Sequence, residues 1–437
     1  MKYNPQIFQI FESLKKDKNI IALYFAEQQT ADILMRASAV AIEQTTGTWI
    51  DIPGETDEVK ERSLGKVIGV YEIPDYNTMP EVPAEVGERK FIIAIAFPTI
   101  NIGGQIPELL TVLYGNISML TKLKLLDVFF PESFIKEFKG PKFGIEGIRK
   151  IINVWGRPLL CAMFKPCVGA LPKALGKMFW EMGLGGIDII KDDELLADPE
   201  FCTVEARLEE CLKVNEKLKK ETGHTVLYHV NITDRPDRMY KKALKVQKMG
   251  GNGLMIDFYT AGFAAFQQLA EDPQIKLPIM AHPAMAGSFY ASPHHGFTAA
   301  LTLGKFPRLS GADIIIYPSP FGKVPLVRER AARVAQELTA PFYHLKSTFP
   351  GPGAGSHPGL VPVLVDNMGT DIMIGAGGGI HGHPGGATAG VKAFLQAIQA
   401  TVEKHDLRSY SVKHKELKVA LDKWGVYGEK NIFDLTR

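Results

Sequence analysis

From residue 146 onward the chain repeats one texture: a short apolar strand, a turn rich in glycine, proline or polar residues, then a helical stretch. The strands read as 159–164 (LLCAMF), 186–190 (GIDII), 225–230 (TVLYHV), 253–258 (GLMIDF), 277–282 (LPIMAH), 312–317 (ADIIIY), 340–345 (APFYHL) and 371–376 (DIMIGA). Apolar strands alternating with helices imply a parallel sheet with covered faces. Eight of them is the number that closes a (β/α)8 TIM barrel. Val391, Phe394, Leu395, Ile398 and Val402 follow the last strand at helical spacing. Residues 403–437 read as a charged tail helix.

Residues 1–145 carry no such repeat. Stretches 32–42 and 107–120 read as helices, and 66–73 and 90–97 as strands. The fold expected is therefore α/β, with an N-terminal α+β domain (1–145) before a barrel domain with its tail (146–437). The 437 residues leave room for both.

A barrel directs attention to the C-terminal ends of its strands, where barrel enzymes place their chemistry. Lys165-Pro166-Cys167 follows the first strand, and Lys191-Asp192-Asp193-Glu194 the second. Asn231 follows the third, and the fifth ends at His282. Pro318 to Lys323 follow the sixth, the segment 351–359 (GPGAGSHPG) the seventh, and Gly377-Gly378-Gly379 the eighth.

Asp193 and Glu194 offer hard oxygen ligands suited to Mg²⁺. Lys191 has no acceptor as an ammonium, and joins a metal site only if modified, for example to an anionic carbamate. The same four charges also suit a solvated turn. Alternation along an extended strand end turns Asp192 away from Lys191 and Asp193. The glycine run after the last strand presents backbone N–H groups and a helix start, which bind phosphate. It also fits a plain glycine turn. Gly377-x-Gly379-x-x-Gly382 matches a dinucleotide fingerprint, but no strand follows to build the rest of that fold. His282 suits a base, an electrophile, a metal ligand or a structural role. His381 and His383, two residues apart in a loop, are poorly spaced for a metal pair.

Composition excludes some classes. A net charge of +2 gives no electrostatic footprint for nucleic acid. No apolar run reaches the length of a membrane span, and the N-terminus lacks a secretory signal pattern. Cys161, Cys167, Cys202 and Cys211 form no CxxC pair and read as core or filler in a reduced, cytoplasmic protein.

GGIDIIKDDE, GTW at 47–49, YGN at 114–116, FKP at 164–166, MIDFYTAGF at 255–263, AHPAM at 281–285, GK at 322–323 and GGGIHGHPGG at 377–386 together resemble the ribulose-bisphosphate carboxylase (RuBisCO) large subunit, in order from residue 40 to 390. AHPAM, PSPFG and ALDKWG are most similar to the RuBisCO-like proteins (form IV), near the methionine-salvage enolase branch. The resemblance implies one Mg²⁺ per site, held by Lys191 carbamylated with CO₂, Asp193 and Glu194. It implies Lys165 as general acid/base, His282 as a catalytic histidine, and Lys323 as a mobile-loop lysine that holds a carboxylate. Thr48, Trp49, Gly377 and Gly378 match a phosphate subsite, with Gly355 carried beside them as a substrate-binding position. Glu43 and Asn116 match groups that one subunit lends to its partner's barrel, which implies a homodimer or an assembly of dimers.

The departures narrow the substrate. The family's second lysine after strand one is Cys167. The carboxylases' arginine, histidine and serine for a second phosphate correspond to Pro283, Ile316 and Gly353. Losing all three removes the charge that holds that phosphate. The resemblance then implies a monophosphate substrate and not ribulose-bisphosphate carboxylation. The methylthiopentyl enolases lack the loop lysine and carry a lysine base in place of the asparagine, whereas this chain keeps Glu43, Asn116 and Lys323. The activity expected is a lyase reaction through a metal-bound enolate, most simply decarboxylation (or transcarboxylation or hydrolysis) of a β-keto acid monophosphate such as 3-oxo-isoapionate 4-phosphate. The alternatives are a 2,3-diketo-5-methylthiopentyl-1-phosphate enolase, a methylthioribulose-phosphate isomerase, and a non-catalytic phosphate-ligand sensor.

Overall fold

The computed structural model describes residues 7–28, 32–47, 50, 52–73, 88–120, 122–324 and 326–429. The chain divides into two compact units: Met1–Lys139 with Met285–Thr302, and Gly140–Ala284 with Leu303–Arg437. Among the described residues no helix is long and apolar enough to cross a membrane.

The first unit is built on β1 (Asn19–Gln28), β2 (Lys66–Ile73), β3 (Arg89–Pro98) and β4 (Leu123–Phe129). β1 pairs antiparallel with both β3 and β4, and β2 pairs antiparallel with β3. Ile20, Ala22, Tyr24 and Ala26 of β1 are all fully buried, the period of two that a half-buried strand requires. The Asp32 carboxylate accepts from Leu34 N at 2.9 Å and starts the helix Ile33–Glu43. The helix expected over 107–120 is shorter, Ile106–Tyr114. It stops at Gly115, whose backbone leaves helical geometry, and a 3-10 turn, Asn116–Met119, follows.

The second unit is a ring of eight parallel strands. The first five are β5 (Leu159–Met163), β6 (Ile189–Lys191), β7 (Leu227–Asn231), β8 (Gly253–Asp257) and β9 (Ile279–His282). The chain then returns to the first unit, where β10 (Gly296–Phe297) pairs parallel with β4. It re-enters the ring with β11 (Ile314–Pro318), β12 (Phe349–Gly353) and β13 (Met373–Ala376). The strand order is β12-β11-β9-β8-β7-β6-β5-β13.

The seventh strand corrects the sequence expectation. It is not 340–345 but Phe349–Gly353, the sequence FPGPG. Phe349 N donates to Asp313 O, on the β11 side. Alternation then turns Pro350 and Pro352 toward β13. Proline has no N–H, so these two positions cannot donate there. The ring closes at this seam through glycine instead. A Cβ placed on Gly375 would lie 3.4 Å from Gly353 Cα.

The ring's apolar floor contains Leu159, Cys161, Ile189, Leu227, Met255, Met280, Ile314, Ile316, Phe349 and Met373. Leu159 with Cys161, and Ile314 with Ile316, stand two apart, as one face of a strand demands. The same alternation continued toward the C-terminal ends carries Leu159 to Met163 and Lys165, Ile189 to Lys191 and Asp193, and Leu227 to His229 and Asn231. It also carries Met255 to Asp257 and Met280 to His282. The floor and the reactive layer are therefore one set of inward positions read upward.

Candidate active site

Lys191 is the last residue of β6 and is 1% exposed. Its Nζ donates to Asp192 O at 2.7 Å and stands 3.7 Å from Glu194 Oε2. Glu194 Oε2 also lies 3.4 Å from His282 Nε2 at the end of β9. The other ring nitrogen, Nδ1, is 3.3 Å from Asp257 Oδ1 at the end of β8, but off the hydrogen-bonding direction, so both buried atoms remain unsatisfied.

Lys165, just past β5, places Nζ 2.7 Å from Asp193 Oδ2 and 2.7 Å from Cys167 Sγ. Burial works against the charge on Lys165, but Asp193 and Cys167 outweigh it and hold the ammonium above the usual lysine range. Burial likewise works against ionisation of Asp193. Lys165, Cys167 and Lys191 outweigh it and hold the carboxyl below the usual range.

Asp192 stays out of this cluster. Its carboxylate is fully buried and accepts from Arg207 Nε at 2.7 Å, Tyr228 OH at 2.5 Å and Asn231 N at 2.8 Å. Arg207 also donates to Leu196 O, Ala197 O, Cys202 O and Asn231 O. The turn after β6 is thereby tied to the end of β7. Asn231 Nδ2 completes the tie with contacts to Asp193 O and Glu194 O, both 3.3 Å.

His229 occupies the inward layer directly across from Lys191 in the β6–β7 register. Its Nδ1 is 2.9 Å from Leu254 O, so Nδ1 carries the proton. Burial, with Lys191 adding to it, pushes its pKa down to about 4 and keeps the ring neutral.

The remaining expected positions fall as follows. Gly377 lies against Lys165, since a Cβ there would meet Lys165 Cε at 3.0 Å. Gly378 opens a single helical turn, Gly378–His381, with open space where its Cβ would be. Gly355 adopts φ +104° and packs on the backbone of Gly322 and Lys323, where a Cβ would meet Lys323 N at 2.6 Å. Lys323 is exposed on the loop after β11, and its backbone N–H donates to Ala354 O. In the first unit, Asn116 Nδ2 donates to Glu43 Oε1 at 2.9 Å, so these two come together. Thr48 and Trp49 lie outside the described residues. His381 and His383 do not converge: one ring faces Met163 O and the other Glu416 O.

Three participants escaped the sequence reading. Asp257 ends an apolar strand as His282 does, and that position was the available signal. Cys167 read as filler, because nothing in its sequence surroundings announces contact with Lys165. Arg207 lies mid-helix, and no local pattern links it to Asp192.

Two carboxylates and a buried lysine fit an oxygen-coordinated divalent cation on one condition. Among the described residues no three of His, Cys, Asp and Glu stand together as metal ligands. Asp193 and Glu194 become a three-membered anionic oxygen set only when Lys191 carries a carboxylate. The Glu194 contact places Lys191 Nζ at the edge of that set.

Two family models match the chain: the ribulose bisphosphate carboxylase large chain catalytic domain over residues 144–424 and its N-terminal domain over 11–134. A ribulose bisphosphate carboxylase-like protein of Archaeoglobus fulgidus is 48% identical, covering 96% of each chain. A 2,3-diketo-5-methylthiopentyl-1-phosphate enolase of Bacillus licheniformis is 40% identical over 93% of this chain and 98% of its own. Among solved structures, the octameric RuBisCO of Pyrococcus horikoshii superposes with a TM-score of 0.88 at 32% identity, over 97% of both chains. A RuBisCO-like protein of Alicyclobacillus acidocaldarius gives 0.86 at 34% identity, over 94% of this chain and all of its own.

Proposed function

The chain belongs to the ribulose bisphosphate carboxylase large-chain family, and on that premise we propose that it is a Mg²⁺-dependent lyase that removes CO₂ from a β-keto sugar-acid monophosphate, of which 3-oxo-isoapionate 4-phosphate is the model substrate. The observation that carries this reading is the joining of Lys165 to Asp193 at 2.7 Å, which sets an acid/base at the rim of a carboxylate pair. Carbamylated Lys191, Asp193 and Glu194 would hold the ion. When bound, Mg²⁺ supplies a Lewis acid for the ketone oxygen.

The chain's own groups divide the remaining work. Lys323 grips the carboxylate that leaves as CO₂. Lys165 delivers a proton to the carbon left behind, which balances the loss. His282, backed by Asp257, addresses the oxygen substituents of the substrate. Thr48, Trp49, Gly355, Gly377 and Gly378 receive the single phosphate. Glu43 and Asn116 act from a partner subunit, so the working unit is a homodimer or larger. Pro283, Ile316 and Gly353 provide no charge for a second phosphate, which argues against a bisphosphate substrate. A cytoplasmic location belongs to the same reading.

The test is CO₂ release from 3-oxo-isoapionate 4-phosphate with Mg²⁺ and bicarbonate, compared with release after chelation. No release by protein shown to bind the metal overturns the proposal. A second reading draws on the 40% identity to the Bacillus licheniformis enolase. It expects turnover of the diketo phosphate without CO₂, and little response to Lys323→Ser.

A further inference from the structure

Cys161, Cys202 and Cys211 are buried, and Cys167 alone of the four cysteines is partly exposed. Its Sγ stands 2.7 Å from Lys165 Nζ, closer than an ordinary N–H···S contact. The amine cannot easily swing away, because Asp193 Oδ2 holds the same nitrogen at 2.7 Å. Lys165 keeps some solvent access, with its side chain 32% exposed. An oxidant the size of a peroxide therefore reaches a thiol that already touches a primary amine. Oxidised sulfur condenses with a neighbouring nitrogen when one is held in place.

We propose that Lys165 and Cys167 form a modification site, an oxidation-dependent covalent bridge between Nζ and Sγ. Hydrogen peroxide oxidises the thiol by two electrons to a sulfenic acid and is itself reduced to water. The Lys165 ammonium gives up one proton to solvent, and the amine nitrogen so freed attacks the sulfenic sulfur. The S–O bond breaks and an N–S bond forms. A second nitrogen-bound proton leaves with the hydroxyl as water. The sum is one thiol, one amine and one peroxide giving one sulfenamide and two waters. A thiol reductant reverses it. The bridge itself rests only on the geometry. Its consequence, reversible loss of turnover, rests on the assignment of Lys165 as acid/base.

The experiment treats the Mg²⁺- and bicarbonate-loaded protein with hydrogen peroxide and follows the peptide carrying residues 165–167 by mass spectrometry. The expected product is lighter by two hydrogens, carries no added oxygen, is unreactive to iodoacetamide, and is restored by dithiothreitol. Cys167→Ser gives no such product, and Lys165→Met gives a dimedone-reactive sulfenic acid instead. In the native sequence, a peptide that gains oxygen and reacts with dimedone overturns the bridge. Turnover falls about a hundredfold or more as the bridge forms, the usual worth of a general acid. A bridge formed with full turnover retained leaves the site standing and overturns the role of Lys165.

Discussion

Arg207 Nε and Asp192 Oδ2 are 2.7 Å apart with both side chains fully shielded from solvent. This ion pair is the anchor behind the reactive layer. Through it the turn after β6 is fixed to β7, and Lys191 and Asp193 inherit their positions. Removing one partner leaves a buried uncompensated charge. Arg207→Met is expected to cost about 3–5 kcal/mol of folding stability, measured by chemical denaturation. The double substitution Asp192→Leu with Arg207→Met should recover part of that loss. A single substitution as stable as the native protein would remove the anchor role.

Lys191 has a separate test. Lys191→Met keeps the length and burial but can carry no CO₂. Binding of Mn²⁺ as a spectroscopic stand-in should become undetectable, and turnover should fall about a thousandfold or more, since a metal supplies several kcal/mol of charge stabilisation. Unchanged Mn²⁺ affinity would exclude Lys191 from the ligand set.

Asp257 Oδ1 faces His282 Nδ1 at 3.3 Å without a hydrogen bond. Asp257→Asn retains the size but removes the charge facing Nδ1. The expected loss is about 10–100-fold in kcat/KM, typical of a group that orients a functional histidine. Thermal stability should stay near native, and a parallel drop in both would mark the contact as structural only.

Lys242 sits between Asp198 and Asp234, 2.5 Å and 2.7 Å away, and links two loops at the strand ends. Burial opposes ionisation of both acids, but Lys242, with the backbone N–H of Val204 on Asp198 and of Arg235 on Asp234, outweighs it and holds them below the usual carboxylate range. Burial opposes the charge on Lys242 too, yet the acids hold it above the usual lysine range. The acids' contribution is therefore present above ordinary carboxylate pKa values and is lost as pH falls through their lowered ones. That of Lys242 is lost only as pH rises through its raised value. The stability gap between native and Lys242→Met protein should be flat from about pH 6 to 9 and shrink below about pH 4. Denaturation across that range measures it. A gap that widens in acid would contradict the assignment.

The ring was legible because seven of its strands are apolar runs followed closely by glycine, proline or polar residues. The seventh hid because FPGPG carries the two residues that usually deny a strand. Only the particular seam it borders makes them acceptable. β1 went unread because Ala22 and Ala26 alternate with Leu23, Phe25 and Ile21, so no polar face marks its period. Lys165, Lys191, Asp193, Glu194 and His282 could be picked out by position alone, each being at or just past a strand end. Asp192's partner could not, because Arg207 lies fifteen residues on in a helix and meets it only through folding. The return of 285–302 to the first unit likewise has no local mark, since a two-residue strand is too short to show a period.

The upward reading of inward positions from the ring's floor has an evolutionary corollary. Chemistry and stability in β6 depend on parity. Ile189, Lys191 and Asp193 are the odd set, and Asp188, Ile190 and Asp192 the even set. Inserting or deleting one residue within that strand would exchange the two sets, bringing the Arg207 partner into the site and sending the lysine outward. A two-residue change preserves parity and shifts only height. Lineages descended from such a chain can therefore vary their loops freely in length, while indels inside this strand are confined to even numbers.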